Sequence, residues 1–189
     1  MNRAKLAFSL AIIAILQGCV AAAGVVVVGS ASVITDNRSF GKQIDDQTIK
    51  FNAQSALSSD DAISKQTNLA VSSINGSLLV VGQSPTPHLR DRAIKLLSDI
   101  EGVVQIHNQI RIGNVTSITT QTNDAWLTTK VKTKLFGSDN LDATNIKVIT
   151  ENGEVFLMGL VEKKDADEAV EITRHIGGVN KVYKMFEYQ

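Results

Sequence analysis

The residue types that usually perform catalysis are present in this chain but badly placed for it. His88, His107 and His175 lie far apart with no metal-ligand spacing, and no Gly-rich phosphate loop or nucleophile elbow occurs. His175 falls beside the end of a predicted helix, where a cation favours the dipole. Asp165, Asp167 and Glu168 fall in the first turn of the same helix, where capping and dipole effects account for them. No catalytic residue, metal ligand or cofactor is assigned, and an enzyme is not expected. Two other sets of residues do carry chemistry. Cys19 is the single cysteine, which excludes an intrachain disulfide, a thiolate metal cluster and a cysteine-based catalytic pair. Trp126, Lys130 and Lys134 recur at a spacing of one helical turn, with Lys132 and Thr133 between them, and Ala125 to Phe136 contains no acid. An indole settles at the headgroup level of a bilayer, and lysines attract anionic lipid at about 1 kcal/mol each. A plainer reading stands beside this one: Trp126 packs against a neighbouring domain, and the lysines form an ordinary solvated face.

The elements that must position these residues come from a duplication. Asn75 to Gly82 has a counterpart in Asn152 to Gly159 at an offset of 77. Upstream, Asp46, Ile49, Ala53 and Leu57 match Asp124, Leu127, Val131 and Leu135 at an offset of 78. Downstream, Ala93 to Ile106 matches Ala169 to Val182 at an offset of 76. Each copy reads as a helix with apolar residues at i, i+4 and i+8, then two β-prone runs around an Asn-Gly turn, a second helix closed by Gly102 or Gly178, and a last strand. The expected class is α+β: two tandem α-β-β-α-β domains, each a small three-stranded mixed sheet covered by two helices. The domains are placed at 45–112 and 123–189, joined by an exposed linker at 113–122. On the first helix of the second copy, residues about 100° apart put Leu127, Val131 and Leu135 in the core and turn Trp126 away from it. The matching positions of the first copy are Thr48, Asn52 and Ala56. Residues 113–189 hold 9 Lys plus Arg against 11 Asp plus Glu, so a basic helix there is not a by-product of composition.

Upstream of the duplication, Arg3 and Lys5 precede an apolar run from Leu6 to Leu16 that ends in Leu16-Gln17-Gly18-Cys19. The segment 1–18 reads as a signal peptide. The tetrapeptide resembles the lipobox of bacterial lipoproteins, which implies cleavage before Cys19, acylation there and a tether over 19–44. A competing reading extends the apolar run through Val20 to Val28 as an uncleaved anchor, against which stand Gln17 and the glycines at 18, 24 and 29. Over the whole chain, 43% hydrophobic residues and balanced charge, 19 against 19, exclude a disordered chain and give no electrostatic footprint for nucleic acid.

The duplicated Asn-Gly hairpin, with a Gly-Val entering each final strand, resembles the BON domain, and Glu151 to Val161 is the most specific part of the match. Two such repeats behind a lipobox resemble the dual-BON outer-membrane lipoproteins of Gram-negative bacteria. The resemblance implies a lipid-anchored protein facing the periplasm, since Val20 and not Asp follows Cys19. It also implies that the first helix of the second domain binds anionic phospholipid such as phosphatidylglycerol or cardiolipin, through Trp126, Lys130 and Lys134. The implied role is support of outer-membrane integrity, with enrichment at the division septum and possible contact with envelope assembly or division machinery. The alternative is a protein-interaction scaffold that uses the same exposed helix.

Overall fold

A computed structural model describes residues 40–114 and 118–189. The expected signal peptide, Cys19 and the tether as far as residue 39 lie outside the described residues, as do residues 115–117 of the expected linker. The first domain contains α1 (Phe40–Ser59), α2 (Asp61–Gln66), β1 (Asn68–Ile74), β2 (Ser77–Ser84), α3 (Pro87–Ser98) and β3 (Gln105–Ile112). The second contains α4 (Ile118–Phe136), a 3-10 turn at Ala143–Asn145, β4 (Ile146–Glu151), β5 (Glu154–Val161), α5 (Lys163–Arg174) and β6 (Lys181–Tyr188). Both domains therefore have the α+β plan. Two differences from the expected layout stand out. Helices α1 and α4 begin at Phe40 and Ile118, inside the segments read as tether and linker, because the apolar stripe that marks a helix starts only where there is a core to face. Helix α2 was not expected at all. Its six residues are too few to show a period, and its start is fixed by Asp60, whose carboxylate accepts from the amides of Ala62 and Ile63.

In each sheet the hairpin strands are antiparallel and the last strand joins in parallel, giving the orders β1-β2-β3 and β4-β5-β6. A parallel neighbour needs a crossover, and α3 and α5 supply it. The hairpins turn at Asn75-Gly76 and Asn152-Gly153, all four with positive φ, so that Ile74 pairs with Ser77 and Glu151 with Glu154. A buried aspartate from the first helix of each domain holds each turn. Asp46 accepts from the amides of Asn75 and Gly76 and from the Ser73 hydroxyl at 2.8 to 3.1 Å. Asp124 accepts from the amides of Asn152 and Gly153 at 2.7 and 2.8 Å. A turn amide that faces inward must find an acceptor, and a carboxylate on the adjoining helix satisfies two at once.

Helices and sheet enclose one core per domain. Ile49, Ala53, Leu57, Leu78, Val80 and Leu97 are among the buried residues of the first, and Leu127, Val131, Leu135, Val155, Leu157 and Ala169 of the second. Each central strand also carries apolar residues on its other face. Ile74, Leu79 and Val81 pack with Phe156 and Met158 to form a third core, where the Phe156 and Tyr183 rings stack at 4.7 Å. The two domains thus meet sheet against sheet. Polar contacts frame this core: Glu187 accepts from Asn75 Nδ2 and Ser77 Oγ, Glu151 from Gln83 Nε2, Lys147 donates to the Ser73 carbonyl, and Arg111 pairs with Glu154.

Candidate functional site

Helix α4 runs along the outer side of the second domain, and its two faces separate as the 3.6-residue period requires. Leu127, Val131 and Leu135 are fully buried, whereas Trp126 is 57% exposed. The buried contact between the domains is made by the sheets, and Trp126 is not among its residues. An indole so exposed is unusual for the largest amphipathic side chain a protein can bury.

The lysines do not stand equally free. Lys130 is only partly exposed: its Nζ lies 4.8 Å from the centroid of the Trp126 ring and donates to the Gly177 carbonyl at 3.1 Å. It braces the indole against the α5–β6 turn, a cation–π contact that fixes the ring's pose. Lys132 and Lys134 are exposed, with no acid in ion-pairing range among the described residues. On the 100° wheel they flank the Trp126 face from opposite sides. Thr133 is exposed, but its hydroxyl donates back to the Thr129 carbonyl at 2.9 Å, and Thr129 does the same to Ala125. Both hydroxyls are thus engaged by the helix backbone.

Phe136 completes the face. It is 47% exposed at the end of α4, about 15 Å along the axis from Trp126 by helical rise. It is not among the residues singled out from the sequence. Its place three residues after Thr133, outside the Leu127–Val131–Leu135 stripe, was the available signal. The face therefore carries exposed Trp126 and Phe136 with Thr129 and Thr133 between them, edged by Lys132 and Lys134. The matching face of α1 presents Thr48 and Asn52, and no lysine stands at either position. Among the described residues no group of three His, Cys, Asp or Glu is placed to hold a metal, and no helix is long and apolar enough to cross a membrane.

Comparisons with known proteins agree with this architecture. The BON domain family matches residues 45–114 and 123–189. Over 97% of this chain and 95% of its relative, the sequence is 41% identical to the outer membrane lipoprotein DolP of Haemophilus influenzae. It is 40% identical to a 21 kDa hemolysin of Actinobacillus pleuropneumoniae over 81% of this chain and 79% of that protein. It is 26% identical to the osmotically-inducible protein Y of Escherichia coli over 75% of this chain and 72% of that one. With two matched domains and near full-length similarity to a lipoprotein of the same plan, the chain belongs to the BON-domain family as a dual-BON outer-membrane lipoprotein of the DolP type.

Proposed function

We propose that this protein is a non-enzymatic lipoprotein, released from its 1–18 signal and acylated on Cys19, whose second BON domain reads anionic phospholipid in the membrane that anchors it. It faces the periplasm, gathers where such lipid is abundant, including the division septum, and supports envelope integrity there. The observation that carries the reading is the exposed Trp126 on the acid-free stretch Ala125–Phe136 of α4, flanked by Lys132 and Lys134. A ring positioned for the headgroup zone, with cations on both sides, matches the amphipathic geometry of interfacial helices. One acyl chain gives only marginal membrane binding, so a second contact decides where the protein dwells.

The test is sedimentation of the chain lacking residues 1–19 with vesicles of phosphatidylglycerol or cardiolipin diluted in phosphatidylethanolamine. Wild type should pellet with the anionic vesicles and not with phosphatidylethanolamine alone. Trp126→Glu should stay in solution with its fold intact, and Thr48→Glu, the matched change in the first domain, should pellet like wild type. Equal pelleting of Trp126→Glu and wild type would replace this reading with a protein scaffold that uses the same helix.

A further inference from the structure

The second domain shows how its first helix closes onto the turn before the last strand: Lys130 reaches across and bonds the Gly177 carbonyl. In the first domain the equivalent positions are Asn52 and Glu101. The lysine is gone and an acid stands where the glycine was. A groove of about 410 Å³ remains there, its wall including Asp45, Thr48, Ile49, Asn52, Glu101 and Val104. Asp45 and Glu101 are exposed at its rim. Val104, part of the same wall, is 83% exposed.

We infer that this groove of the first domain binds a basic segment of another protein, a lysine or arginine entering where the sister domain places its own Lys130. Pseudo-symmetry supplies the template, since an ammonium group already occupies the corresponding site in the same fold. Charge complementarity comes from Asp45 and Glu101. Val104, in the groove wall, offers apolar surface to the residues next to the incoming cation, which suits a peptide better than a small polyamine. The site stands apart from the α4 face: one domain reads lipid and the other reads protein.

The experiment follows the amide spectrum of the full mature chain, residues 19–189, bearing Cys19→Ser so that it carries no acyl group. The probe is a blocked synthetic pentapeptide alternating lysine with valine, and its glutamate counterpart serves as the control. The lysine peptide should shift the amides of Thr48, Asn52, Gly102 and Val104 saturably, while the glutamate peptide should not. Asn52→Lys rebuilds the sister domain's internal plug on an exposed position, so it should keep the fold and weaken peptide binding by about tenfold or more. Glu101→Gln should weaken it as well, and less so in high salt. The inference is overturned if the lysine peptide leaves these amides unmoved, if Asn52→Lys binds as tightly as wild type, or if both peptides act alike. It is equally overturned if the same shifts appear without peptide as the protein is concentrated, because the occupant is then a second copy.

Discussion

Membrane docking by α4 rests on two physical terms that respond differently to salt, and separating them is the most exacting check of the proposed function. With 57% of an indole of about 250 Å² exposed, full insertion removes about 140 Å² from water, or about 3.5 kcal/mol at 25 cal/mol per Å². Lys132 and Lys134 add about 1 kcal/mol each near an anionic surface. Lys130 adds less, because its ammonium is already engaged by the Gly177 carbonyl and the Trp126 ring. The apolar term is independent of ionic strength, whereas the lysine term shrinks as the Debye length falls from about 30 Å at 0.01 M to about 3 Å at 1 M. Trp126→Ala should therefore weaken partitioning into phosphatidylglycerol vesicles by about two to three orders of magnitude at every salt concentration. The pair Lys132→Ala and Lys134→Ala should weaken it by about thirtyfold at low salt and hardly at all at 1 M. Intrinsic tryptophan fluorescence against vesicle concentration reads wild type and the lysine pair, and sedimentation reads Trp126→Ala. If the Trp126→Ala defect fades as salt rises, or the lysine defect persists at 1 M, the division of labour along α4 is wrong.

Three further outcomes follow from other parts of the structure. Asp124→Ala strips two turn amides of a charged acceptor and should cost about 3 to 5 kcal/mol in denaturant unfolding, with Asp46→Ala behaving alike in the first domain; unchanged midpoints would show that the turns hold themselves. Burial pushes the Glu151 carboxyl above the ordinary glutamate range, against the opposing hydrogen bond from Gln83. The native state then keeps a proton the unfolded chain has lost, so stability falls as pH rises from the ordinary glutamate range through the higher folded pKa. Glu151→Gln should accordingly raise the melting temperature at neutral pH and not at pH 3, and an equal gain at both would contradict the burial argument. Cys19→Ser should abolish incorporation of a palmitate analogue and leave a mislocalised precursor; label retained on the variant would refute the lipobox reading.

The face of α4 was legible from sequence because a helix period is local. Given Leu127, Val131 and Leu135 as core, the outward direction of Trp126 follows from rotation alone. The bracing of Lys130 was not legible, since its partner Gly177 is 47 residues away and enters only through the tertiary fold. Short-range turn chemistry announced the Asn-Gly hairpins. The pairing of Asp46 and Asp124 as repeat equivalents was visible as well, but their role as acceptors for those turns needed the geometry. The contact between domains left a trace that can be read in retrospect. Leu78-Leu79-Val80-Val81 and Val155-Phe156-Leu157-Met158 are unbroken apolar runs, the mark of strands covered on both faces, whereas a sheet with one wet face would alternate.

That third core, Ile74, Leu79 and Val81 against Phe156 and Met158, makes the duplication a matter of cooperativity as well as gene history. Each domain finishes its folding by using the other as a lid, so the pair should melt in one transition and a lesion in either half should register in both. Cutting the chain between residues 114 and 118 would not release two working modules. It would yield two adhesive half-molecules, each with a bare apolar sheet face of the kind that drives aggregation.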